Sequence, residues 1–181
     1  MSDEIPISGV CAPGFEAVRD EFVKNFTDRD EVGAAVAAWV DGELVVNLWG
    51  GHSDAKRRRR WRENTVASIF SGTKGLTSTC MHLLADRGEI DLNAPVAHYW
   101  PEFGQAGKQD ITLAWVLGHR SGVIAPRNRL HWSEVSDWDR VCDEIAVSTP
   151  WWEPGTAQGY HVVTFGFILG EVVRRVTGRT I

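Results

Sequence analysis

The dipeptide Asp41-Gly42 sets the tightest limit on how this chain can fold. It stands between two apolar runs, Gly33-Ala-Ala-Val-Ala-Ala-Trp-Val40 and Glu43-Leu-Val-Val-Asn-Leu-Trp49. Such runs around an Asp-Gly pair read as an antiparallel hairpin, and Gly50-Gly51 ends its second strand. Most of the remaining chain has the period of helices. Over residues 13–29, Phe15, Val18, Phe22 and Phe26 fall on one face. A second helix runs from the Ser71-Gly-Thr-Lys74 segment to about Arg87, with Leu76, Cys80, Leu83 and Leu84 on one side and Gly88 as its stop. Shorter helices are expected over 112–118 and 136–146. A last one runs from Gly159 or Tyr160 to Val176, with Phe165, Ile168, Leu169, Val172, Val173 and Val176 apolar and Gly178 ending it. Helix, hairpin, then mostly helices is the order of an α+β chain with one small antiparallel sheet.

The chain has 181 residues, so a single domain spanning 1–181 is expected. No apolar run reaches the roughly 20 residues of a membrane-spanning helix. The acidic start, Met1-Ser-Asp-Glu4, does not fit a secretory signal. Lys plus Arg number 19 against 24 Asp plus Glu, and the net charge of −5 argues against a nucleic-acid partner. The same acidity favours a solvated loop for the basic run Lys56-Arg-Arg-Arg-Arg60. Cys11, Cys80 and Cys142 are far apart and odd in number, which indicates neither zinc nor a redox pair and points to the cytoplasm. His119, His131 and His161 lack metalloprotease spacing, so no metal or other cofactor is expected. Trp is unusually frequent, 9 against 7 Phe and 2 Tyr, and Trp49, Trp61, Trp100, Trp132, Trp151 and Trp152 sit near loops. They read as packing anchors or as walls of a pocket for an apolar acyl group.

Ser71 and Lys74 carry the chemistry. Three apart at a helix start, they share a face, so the amine can reach the hydroxyl. Free N–H groups and the positive helix end gather there. A serine hydroxyl becomes a nucleophile when a base takes its proton, and the same location favours the oxyanion that attack creates. The bland alternative for Ser71 is a helix cap.

Several segments, in order, resemble the serine β-lactamase and penicillin-binding-protein superfamily, most closely the class C β-lactamase-related esterases called family VIII carboxylesterases. They are the strand ending in Trp49-Gly-Gly51, the nucleophile segment Thr65-Val-Ala-Ser-Ile-Phe-Ser71-Gly-Thr-Lys74, Gly88-Glu-Ile-Asp-Leu-Asn-Ala-Pro-Val96 with Tyr99-Trp-Pro-Glu-Phe103, the Leu-x-His-x-Ser-Gly loop at Leu117–Gly122, and Pro150-Trp-Trp-Glu-Pro154-Gly155 followed by Tyr160. The resemblance implies that Ser71 is acylated and that Lys74 and Tyr160 activate it. It implies a small ester or amide as substrate; apart from the resemblance, His161, which titrates near neutral pH, and Trp151 and Trp152, as aromatic pocket walls, are candidate substrate contacts. The resemblance also implies a β-lactamase/transpeptidase-like fold.

Two departures matter. The family's second motif often reads Tyr-x-Asn, and here it reads Tyr160-His161-Val162. Valine lacks the hydrogen-bonding side chain of that Asn, which leans the reading from β-lactams toward esters. The family's third motif, a Lys-Thr-Gly-like or His/Trp-x-Gly strand, lies well downstream of the Tyr motif, whereas this sequence ends at Thr180-Ile181. The expectation is therefore an incomplete, N-terminal portion of such a fold, with the C-terminal sheet strands missing. A lone hairpin is marginal, so poor stability or self-association through uncovered apolar surface is expected. Three functions compete: an esterase working through an acyl-enzyme, a β-lactamase or D-amino-acid peptidase on the same scaffold, and a silent fragment that only binds.

Overall fold

The computed structural model describes residues 5–181, the side chain of Trp132 excepted. The acidic start at residues 1–4 lies outside them. The chain resolves into two compact units, Met1–Ser68 and Ile69–Ile181.

The first unit is a sheet with one helix. Strand β1 (Ile7–Cys11) leads to helix α1 (Glu16–Asp28), and strands β2 (Gly33–Val40) and β3 (Glu43–Gly51) form the expected hairpin. Asp41 and Gly42 both have positive φ, 50° and 83°, as the tight turn demands. The sheet order is β1-β3-β2, antiparallel throughout. The hairpin is thus not the lone pair expected from the sequence. The first strand escaped notice because Gly9 interrupts its pattern, and Gly9 is required there: a Cβ at its φ of 113° would lie 2.0 Å from the Asn47 carbonyl oxygen. Helix α1 buries Phe22 and Phe26, one turn apart, against Val46 and Leu48 of β3. The residues after β3 form an exposed loop in which the Asp54 carboxylate accepts the backbone N–H groups of Arg58 and Arg59, at 3.3 and 2.9 Å.

The second unit is helical. Helix α2 (Thr73–Asp86) is followed by α3 (Val96–Tyr99), α4 (Leu113–Leu117), α5 (Trp138–Val147) and α6 (Thr164–Thr177). Helix α6 is central, with Phe165, Ile168, Leu169 and Val172 buried in one core with Met81, Leu84, Val116 and Ile145. Helix α2 differs from expectation. Its buried positions are Thr77, Met81 and Leu84, while Leu76 and Leu83 are exposed. Two stripes compete along this helix, and the one that meets α6 is the one buried.

Two buried charges fasten the helices. The Glu171 carboxylate on α6 accepts from Arg174, Arg175 and the Trp138 indole on α5, at 2.8, 2.7 and 2.9 Å. Burial alone would raise its pKa, but these donors outweigh it and hold the carboxyl down at about 2. The Lys108 ammonium is fully buried and donates to the carbonyls of Gln105, Ala146 and Ser148, at 2.9, 2.9 and 2.5 Å. Ala146 belongs to the last turn of α5, whose carbonyls have no partner within the helix, so Lys108 caps that helix from a distant loop. Burial draws its pKa down to about 8, which leaves it charged at neutral pH. Lys108→Met should lower unfolding stability by about 2 kcal/mol, because three orphaned carbonyls outweigh the relief of a buried charge. Denaturant unfolding at pH 7 checks this, and an unchanged midpoint would refute the cap.

Candidate active site

Ser71 sits not in the first turn of α2 but in the 3₁₀ turn Phe70–Gly72 that feeds it. The turn is forced by Phe70, whose φ of 44° is rare for an aromatic residue. Such strain concentrates where geometry serves a function. The hydroxyl of Ser71 lies at the entrance of the 14-residue helix. Lys74 follows one turn later, and its Nζ is 3.0 Å from Ser71 Oγ and 3.0 Å from the Val162 carbonyl. The second contact ties α2 to the segment before α6 and aims the amine at Ser71.

That segment does not begin a helix at Gly159 or Tyr160; α6 starts only at Thr164. Its backbone groups are already engaged. Gly159 N–H donates to the His119 carbonyl at 3.0 Å, His161 N–H to His119 Nδ1 at 3.1 Å, and the Val162 carbonyl accepts from Lys74. The result is an irregular stretch, outside any helix or strand, that presents Tyr160, about half exposed, with its ring centroid 4.7 Å from Lys74 Nζ. The nearby Ser71 hydroxyl, then Lys74, holds the Tyr160 phenol below the usual tyrosine range. The structure thus brings Ser71, Lys74 and Tyr160 together.

The other candidates are placed differently. His161 is fully buried, so it offers no surface to a substrate. Its Nδ1 meets the Gly159 carbonyl at 2.7 Å and its Nε2 the Ser121 hydroxyl at 2.5 Å. A carbonyl can only accept, so Nδ1 carries the proton and Nε2 accepts from Ser121. Trp151 is exposed on one side, donates its indole N–H to the Ala125 carbonyl at 2.9 Å and lies 4.0 Å under the Arg127 guanidinium. Trp152 turns inward: its indole N–H reaches the Ala157 carbonyl at 3.1 Å, and a Cβ on Gly159 would lie 2.3 Å from its ring. Gly155 is pressed against Trp115 in the same manner, with 2.8 Å to a would-be Cβ. His119 reaches across to the Tyr160 segment. Only its place in the Leu-x-His-x-Ser-Gly pattern could have flagged it.

Burial pushes the His161 imidazole down to about 4; the Gly159 carbonyl opposes this, and the charges of His119 and Lys74 add to it. Below about pH 6.5 the unfolded chain takes up a proton that folded His161 refuses. Stability should therefore fall by about 3 kcal/mol as pH drops from 6.5 toward 4. Thermal melts across that range check the slope, and a His161→Asn variant should flatten it. An equally steep variant would assign the acid loss elsewhere.

Elsewhere the chemistry is poorer. A cleft of about 800 Å³ in the first unit is lined by Trp49, Trp61, Arg58, Arg60, Arg62 and Glu63, and among the described residues no hydrogen bond joins its serines, Ser8 and Ser53, to a side chain that could act as a base. The Ser53 hydroxyl points to the Arg59 carbonyl at 3.5 Å. Among the described residues no group of three or more His, Cys, Asp or Glu side chains could hold a metal ion. No described helix is long and apolar enough to cross a membrane.

The chain is similar to known proteins along nearly its whole length. The family model described as Beta-lactamase matches residues 19–181. The esterase/beta-lactamase LipL of Mycobacterium tuberculosis is 36% identical over 173 residues, which is 96% of this chain and 40% of that protein. Among solved structures, a family VIII carboxylesterase superposes with a TM-score of 0.92 at 52% identity, over 97% of this chain and 48% of the other. A penicillin-binding-protein homologue from Caulobacter crescentus gives 0.92 at 40% identity, over 97% and 47%. The chain therefore spans about half the length of these relatives or less.

Proposed function

Because the chain belongs to the beta-lactamase family, we propose that it carries the nucleophile-bearing part of a serine hydrolase that acts on small carboxylic esters through an acyl-enzyme. On this reading its two units are parts of one incomplete hydrolase domain. The observation that carries the reading is the Lys74 amine, 3.0 Å from Ser71 Oγ and anchored on the Val162 carbonyl.

Ser71 Oγ attacks the ester carbonyl carbon and gives its proton to the Tyr160 phenolate, which the neighbouring Lys74 charge makes accessible. The tetrahedral oxyanion forms at the helix entrance, where the positive end of the helix dipole favours it. Collapse expels the alcohol, which takes the proton back from Tyr160, and leaves acyl-Ser71. Water then attacks by the same proton route, releasing the carboxylic acid and restoring the hydroxyl. Trp151, with its exposed ring, is the candidate apolar contact for the acyl group, whereas His161 and Trp152 support the Tyr160 segment from behind.

The ester preference follows from Val162. It stands where the family often has Asn, and its exposed side chain can neither donate nor accept a hydrogen bond. A fluorophosphonate probe followed by intact mass should give one adduct on the 181-residue chain and none on Ser71→Ala. An adduct that survives in Ser71→Ala, or none on the parent, would overturn the assignment. Faster opening of nitrocefin than of short p-nitrophenyl esters would move the substrate class to β-lactams.

A further inference from the structure

We propose that His119 is a positioning residue for Tyr160, clamping the segment 159–162 on either side of the phenol and so setting it against Ser71 and Lys74. The inference rests on the acyl-enzyme reading above. One residue supplies both halves of the clamp: its carbonyl takes Gly159 N–H at 3.0 Å and its Nδ1 takes His161 N–H at 3.1 Å. Those two N–H groups flank Tyr160 in sequence, so the backbone that carries the phenol cannot shift without breaking one. The His119 ring also lies 4.7 Å from the Tyr160 ring and 5.2 Å from that of Phe165 on α6, a packed wall behind the phenol.

The backbone of His119 gives a second, independent observation. Its φ is 59°. It follows Gly118 at the end of α4, and the next N–H, of Arg120, closes back on the Trp115 carbonyl at 2.7 Å. This is the left-handed helix-ending position that glycine fills most readily. A histidine there is held against its conformational preference, and its imidazole, which glycine would lack, is what holds Tyr160.

The clamp requires a neutral ring with Nδ1 unprotonated. The titratable groups facing it are Lys74 from α2 and Tyr160 and His161 from the clamped segment, and burial followed by the Lys74 charge keeps His119 below the usual histidine range. Protonation would replace the acceptor with a donor facing an N–H and set a second cation beside Lys74.

The test uses the 181-residue chain with His119→Gly and His119→Asn. Glycine fits the backbone better than histidine, so loss of fold does not obscure the result; asparagine tolerates the same backbone and returns an acceptor oxygen. Two readouts are taken. The first is tyrosine ionisation by absorbance near 295 nm, legible because the chain has 2 Tyr and Tyr160→Phe identifies the signal. The second is the rate of fluorophosphonate labelling of Ser71. His119→Gly should move the Tyr160 titration up toward the free value of about 10, and slow labelling by about 10- to 100-fold. His119→Asn should recover most of both. A Tyr160 titration unmoved by His119→Gly, or no recovery with His119→Asn, would overturn the clamp. A parent that shows the titration shifts yet never labels at Ser71 would sink the acyl-enzyme reading while leaving the clamp standing.

Discussion

Lys74→Ala is expected to slow covalent modification of Ser71 by about 10³-fold, the scale that a positioned proton-transfer group supplies. The reason is geometric. Lys74 joins three things that are otherwise separate: the nucleophile at 3.0 Å, the Val162 carbonyl at 3.0 Å and the Tyr160 ring at 4.7 Å. Without the amine, Ser71 keeps its place in the 3₁₀ turn but loses the charge that steadies a phenolate beside it. Lys74→Arg should recover little, since a planar guanidinium does not replace a compact ammonium in so short a reach. Second-order labelling rates with a fluorophosphonate, compared at equal folded fraction, measure the effect. Parent-like labelling in Lys74→Ala would remove Lys74 from the mechanism.

The largest stability effect is expected at Glu171. Glu171→Ala should cost about 3–5 kcal/mol, the scale of breaking a buried ion pair from one side. The carboxylate is 1% exposed and serves two arginines and an indole at once. Those arginines continue outward to Asp139 on α5, at 3.1 Å, and to Glu102, at 2.8 Å. Removing the centre therefore strands the Trp138 N–H and loosens α6 from α5 and from the 101–104 turn. The sign with pH follows from the depressed carboxyl. Its contribution is fully present above about pH 4.5 and is lost as pH falls toward its folded value of about 2. The parent and Glu171→Ala should differ widely in denaturant midpoint at pH 7 and converge near pH 2. A constant difference across that range would mean that packing rather than charge holds the helix.

Where the determinants were local, the sequence was legible. The hairpin followed from Asp41-Gly42, and the helices followed from apolar spacing and from Gly88 and Gly178. Ser71 and Lys74 could be paired because three residues on a helix is a fixed distance. Tyr160 is far along the chain, so no periodicity could bring it there; only the resemblance to a family did. The start of α6 was misplaced because residues 159–162 bond to His119 and Lys74, partners that no local pattern reveals. His161 is a candidate site residue in the sequence because histidine titrates near neutral pH, yet its side chain is buried while that of Tyr160 beside it is half exposed, a difference no local pattern shows. The α2 face is legible only in part: Leu84 is buried as expected, but Leu76 and Leu83 are exposed and Thr77 and Met81 are buried in their place. The choice between them lies in α6.

The glycine sockets under Trp115 and Trp152 have a consequence for how this region can change over generations. Gly155 and Gly159 each face an indole at a distance no methyl group can share. A single substitution at either glycine collides, and a single substitution of either tryptophan leaves a hole. Each pair can be exchanged only by two changes at once, and either intermediate disturbs the loop that leads to Tyr160. Drift in this stretch is therefore blocked from both sides, and variation should collect instead at exposed neighbours such as Glu153 and Thr156.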